Sequence, residues 1–110
     1  MAKKLTITLE SNDWRGDDIS HTDVKTYNDT LASIYFLEDE DGHDFHYCIL
    51  WGLGAWDEEM FKTELEAVHH VCKQCGLLEK YDSLPLRYGM YWNSEEGAVR
   101  FDKPIDLCKL

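Results

Sequence analysis

Two β-branched and aromatic runs, Leu31 to Glu38 and His43 to Trp51, stand on either side of Asp39-Glu40-Asp41-Gly42. Asp-Gly between such runs is a strong hairpin signature, because the glycine supplies the positive φ that a tight turn requires. The middles of both runs, Ile34-Tyr35-Phe36 and Tyr47-Cys48-Ile49-Leu50, are apolar on both faces. That pattern suits strands in the interior of a sheet, covered on at least one side by a helix.

The remaining segments add to this hairpin. Lys4 to Glu10 alternates strictly, with Leu5, Ile7 and Leu9 on one face and Thr6, Thr8 and Glu10 on the other, as a half-buried strand does. Ser11 to Thr30 is rich in Asp, Asn, Ser and Thr and predicts a long ordered loop with a short strand near Val24. Asp57-Glu58-Glu59 has the character of a helix start, a capping carboxylate with further acids in the first turn. Phe61, Leu65, Val68, Cys72 and Cys75 follow at helical spacing, and Gly76 suits the left-handed position after the last turn. Beyond a turn around Ser83 and Pro85, Leu86, Tyr88, Met90 and Trp92 alternate with other residues, and Ser94-Glu95-Glu96-Gly97 leads to Ala98 to Asp102. This predicts a second hairpin, with Pro104 ending regular pairing. The expected fold is α+β, a mainly antiparallel sheet in the order β-ββ-α-ββ with one amphipathic helix packed on it.

A chain of 110 residues has room for a single acidic globular domain spanning 1–110. Such a domain buries roughly two thirds of the surface its unfolded chain exposes. Hydrophobic residues make up 44% of the sequence, enough for a core to offset ordering entropy despite the charge. The first ten residues lack the apolar stretch of a signal peptide and no run approaches membrane-spanning length, so a cytoplasmic location is expected. Four cysteines, at 48, 72, 75 and 108, are too few and too unevenly spaced for a secreted disulfide scaffold.

Several motifs invite chemical readings. Cys72-Lys73-Gln74-Cys75-Gly76, preceded by His69 and His70, has the C-x-x-C spacing of a zinc knuckle, but the other cysteines are isolated and no second ligand pair exists. Both thiols also fall on the helix's apolar stripe, where cysteine behaves as a small hydrophobe. A redox role is disfavoured at a helix C-terminus, where the dipole opposes a thiolate. In an extended His43-Asp44-Phe45-His46 the two histidines point to opposite faces, while Asp44 and His46 share one and are expected to pair. Gly52-Leu53-Gly54 lies between a strand and acids, without the lysine of a phosphate loop, which excludes nucleotide binding there. Arg15-Gly16-Asp17 is expected to be a surface turn. No metal or cofactor is assigned.

Charge is distributed unevenly. Of 22 carboxylates, 16 lie in Met1 to Glu66 against 5 Lys and Arg, so that part carries the whole net charge of −11. A strongly negative face favours a basic partner and disfavours phosphate, nucleic acid or an anionic membrane. Tryptophan and tyrosine, the residues that most often anchor interfaces, are interspersed with these acids. The expected contact residues are Asp13, Trp14, Asp17, Asp18, Glu38, Asp39, Glu40, Asp41, Trp51, Trp56, Glu58 and Glu59. In an extended segment Glu38 and Glu40 stand on one side roughly 7 Å apart, a repeat that can address successive basic groups.

In size and charge the chain resembles the small inhibitors that phages and mobile elements use against restriction or CRISPR nucleases, and immunity proteins of basic nuclease toxins. The resemblance covers no motif. It implies a non-catalytic protein that sequesters or inhibits a basic, nucleic-acid-handling partner, with carboxylates standing in for phosphates. Two other classes are weighed beside it: a small metal-binding or enzymatic domain using His43, His46, His69, Cys72 and Cys75, and a homo-oligomeric component joined through strand one or the last strand.

Overall fold

In the computed structural model, β1 (Ile7–Asn12), β2 (His21–Lys25), β3 (Thr30–Glu38), β4 (Phe45–Trp51) and β5 (Trp56–Phe61) follow one another as an antiparallel meander. The structure describes residues 3–12, 21–38, 42, 44–88, 91–93, 97–99 and 105–110. Helix α1 (Glu64–Gln74) and the single turn α2 (Leu77–Lys80) carry the chain back to β6 (Pro85–Tyr88), which joins β1 in parallel. A small separate ladder, β7 (Tyr91–Asn93) with β8 (Gly97–Val99), precedes β9 (Ile105–Asp106), which pairs antiparallel with β6. The main sheet is seven-stranded and mostly antiparallel, in the order β5-β4-β3-β2-β1-β6-β9.

The central hairpin is as its sequence predicts. β3 and β4 pair from Glu38 opposite Phe45 to Ala32 opposite Trp51, Gly42 takes φ +70°, and both strands lie inside the sheet. The strand near Val24 is β2. The predicted second hairpin holds only in part: Leu86 and Tyr88 belong to β6, which pairs with β1 and β9 in the main sheet, and Tyr91–Asn93 alone pairs with Gly97–Val99.

The order β-ββ-α-ββ does not hold. Asp57, Glu58 and Glu59 do not start the helix; they lie in β5, an additional strand at the sheet edge. The physical reason is the short Gly52-Leu53-Gly54 turn, closed by Gly54 N–H donating to Trp51 O at 2.8 Å and Trp51 N–H to Ala55 O at 2.9 Å. That turn sets Trp56 opposite Leu50 and Phe61 opposite Tyr47, so ladder bonds and aromatic packing prevail over the helix preference of the acids. The helix begins instead at Thr63, whose hydroxyl accepts from Glu66 N–H at 3.2 Å. This is the capping arrangement of Thr-x-x-Glu. Its C-terminal end is where the sequence places it, with Gly76 at φ +74°. Regular pairing also continues past Pro104, as β9. Strand one is interior, flanked by β2 and β6, and so is not an edge through which copies could join.

Ala67, Val68, Val71 and Cys72 of α1 are buried against Ile7, Leu9, Val24, Ala32, Ile34 and Ile49, which alternation places on one face of the sheet. Leu84, Leu86 and Leu107 complete this core. Asp106 closes its end: its carboxylate accepts from Leu84 N–H at 2.9 Å, Cys108 N–H at 3.0 Å and Ser83 Oγ at 2.9 Å. The opposite face, with Thr8, Asp23, Ser33, Tyr35 and Cys48, has no described helix upon it. Among the described residues no helix is long and apolar enough to cross a membrane.

Candidate functional site

The β4–β5 corner assembles the most developed polar cluster among the described residues. Trp51 packs on the core from the helix side, and its indole N–H donates to Asp57 Oδ2 at 3.1 Å. His70 Nε2, reaching across from α1, lies 3.2 Å from the same oxygen. A carboxylate only accepts, so Nε2 carries the proton in this contact. Asp57 Oδ1 accepts from Glu59 N–H at 2.9 Å, and the His70 ring leans on Phe61 with centroids 5.0 Å apart. One carboxylate thus ties the turn, the edge strand and the helix together.

Burial alone would raise the Asp57 carboxyl. The hydrogen bonds from Glu59, Trp51 and His70, with the attraction of His70, outweigh it and hold the carboxyl below the usual carboxylate range. A group depressed in this way stabilises the fold above the unfolded-state pKa, and that contribution is lost as pH falls through the folded one. Thermal melts from pH 7 to 3 are therefore expected to show a steeper loss of stability below about pH 5 for the native chain than for Asp57→Asn. Relief of self-repulsion as the other acids protonate acts on both proteins alike, so the difference between the two curves isolates Asp57.

Trp56 projects on the other face of the edge, 51% exposed, with its ring edge-on to Tyr35 at 5.3 Å. Tyr35 in turn stacks on His21 at 4.9 Å. Glu58 and Glu59 are exposed beside Trp56 on a strand with no partner on its outer side. The two tryptophans, the three acids and His70 border a shallow depression of about 330 Å³ that wraps around the sheet edge.

Four of the expected contact residues, Trp51, Trp56, Glu58 and Glu59, therefore meet at one corner. Glu38 is exposed at the far end of β3, six residues along from the position opposite Trp51, about 20 Å away. Asp13, Trp14, Asp17, Asp18, Asp39, Glu40 and Asp41 lie outside the described residues, as does His43. Comparison with protein-family models, curated proteins and solved structures found no match.

Sequence reasoning missed a second aromatic group. Phe36 and Phe45 stack at 5.1 Å and Phe36 meets Tyr47 at 4.7 Å, at the Glu38 end of the hairpin. Both phenylalanines are about half exposed, at 51% and 52%, and Glu38 and Asp44 beside them are exposed. The signal was available, because Phe36, Phe45 and Tyr47 fall on one face once the hairpin register is known.

The groups weighed for metal or redox chemistry are dispersed. Among the described residues no three His, Cys, Asp or Glu side chains are placed to hold a metal ion. His46 is on β4 and His69 on α1. The expected Asp44–His46 pair is not made; Asp44 is exposed, and His46 Nδ1 is buried without a hydrogen-bond partner. Cys72 is fully buried, and burial, with Cys75 and Cys108 nearby, pushes its thiol up to about 12. Cys75 is exposed just past α1, not on a buried stripe, because the helix ends at Gln74.

Proposed function

We propose that this chain is a non-catalytic acidic binding protein that sequesters or inhibits a basic, nucleic-acid-handling protein by occupying its nucleic-acid surface. In a cytoplasmic setting this is the role of an anti-CRISPR or anti-restriction decoy, or of an immunity protein for a basic nuclease. The observation that supports it best is the edge strand β5, where exposed Glu58 and Glu59 follow a half-exposed tryptophan, Trp56. Carboxylates there meet Lys and Arg as phosphates do, and the indole supplies the desolvated anchor. Phe36 and Phe45 beside Glu38 and Asp44 repeat the combination at the other end of the hairpin.

The test is affinity capture from the native host at low and moderate salt. A single basic partner is expected, released steeply as salt rises. Neutralising Glu38 to Asp41 is expected to weaken capture more than neutralising Glu95 and Glu96. A partner retained at high salt by the neutralised tip would overturn the proposal.

A further inference from the structure

We propose that a groove on the sheet face opposite α1 binds a small ligand through a phosphate monoester. Its described lining is Lys4, Thr6, Thr8, Thr26, Tyr27 and Arg87, around about 460 Å³. In a chain with twice as many acids as Lys and Arg, no carboxylate is among these residues. Lys4 and Arg87 form no ion pair among the described residues, whereas Lys25 on the neighbouring strand is held 3.1 Å from Glu10.

The sheet register builds the groove. Lys4, Thr6 and Thr8 recur at every second residue, so they share a face along one line of chain. Arg87 stands directly opposite Thr8 on the parallel strand β6. Thr26 and Tyr27 form the far wall, and Asp29 N–H, donating to Thr26 Oγ1 at 3.3 Å, fixes that turn. The Thr6 and Thr8 hydroxyls and the planar Arg87 guanidinium present hydrogen-bond donors, the Thr26 hydroxyl being engaged with Asp29 O at 3.5 Å, and the Lys4 ammonium adds a point charge, a set matched to the oxygens of a tetrahedral dianion. The volume exceeds what a bare phosphate needs and leaves room for an esterified group. The net charge of −11 repels a polyanion, which favours one phosphate on a small molecule. This site is independent of the acidic edge and does not rest on the proposed partner.

The test is an amide-shift titration of the full chain by NMR, at constant ionic strength balanced with chloride. Inorganic phosphate and adenosine 5′-monophosphate are the two probes. Saturable shifts at Thr6, Thr8 and Arg87 are expected with both, with tighter binding of the ester; equal binding of inorganic phosphate would overturn the assignment to an ester. Arg87→Gln is expected to weaken binding about tenfold and Lys4→Gln about fivefold. Both residues are exposed, so the variants should fold, and Glu79→Gln, exposed on α2, should bind as the native chain does. Shifts that grow linearly without saturating, or that saturate with unchanged affinity in Arg87→Gln, would overturn the proposal. So would an oligonucleotide that binds more tightly than either probe.

Discussion

Asp57→Ala is expected to lower unfolding stability by about 2–3 kcal/mol, read as a lower urea midpoint at unchanged slope. The truncation removes the shared acceptor of the Trp51 indole, His70 Nε2 and Glu59 N–H. Trp51 and His70 are both largely covered, so the stranded donors forfeit a hydrogen bond and regain little water. Against a total of about 5–15 kcal/mol for a domain, that loss is large. Asp57→Asn keeps an acceptor oxygen but loses the charge, and is expected to cost about half as much. If Asp57→Ala unfolds at the native midpoint, the three contacts contribute nothing net and the corner is not held by this carboxylate. Near-ultraviolet circular dichroism adds a local readout, because the Trp51 indole loses its fixed orientation when its acceptor goes.

That corner shows where sequence reasoning stops. The Asp41-Gly42 hairpin was legible because its turn chemistry is local and its strands are long. The interior positions of β3 and β4 followed from their apolar middles. Asp57-Glu58-Glu59 misled because acids favour both a helix's first turn and an exposed strand edge. What separates the two is pairing with Leu50 and Tyr47 across a short turn, which composition does not carry. The decisive helix signal was Thr63-x-x-Glu66, six residues farther on. The parallel pairing of β1 with β6 joins segments some eighty residues apart, and no local pattern announces it. For the same reason Asp57 could not be seen as a hub, since His70 approaches it only after the helix folds back over the sheet.

The reassignment changes the meaning of the acidic residues at 57–59. In a helix start their charge would be accounted for by the dipole; on an edge strand Glu58 and Glu59 have no such role. Two functions remain for them. Charges on an edge prevent strand addition by another chain, and charges beside an exposed aromatic recruit a basic one.

Trp56→Ala distinguishes these roles. If the edge is a binding surface, the variant is expected to weaken affinity for the captured partner by about 30-fold or more, the loss typical of a tryptophan anchor at the centre of an interface. Stability should change little, because half the ring already faces solvent and its main described ring contact is with Tyr35. Glu58→Gln with Glu59→Gln is expected to slow association and flatten the salt dependence, while leaving dissociation nearly unchanged. Surface plasmon resonance at two salt concentrations separates these rates. If the acids only guard the edge, the double variant instead self-associates in sedimentation as its concentration rises, and Trp56→Ala binds the partner like the native chain. The anchor effect is large enough to decide the matter, because a 30-fold change corresponds to about 2 kcal/mol and exceeds what screening of exposed charge alone produces.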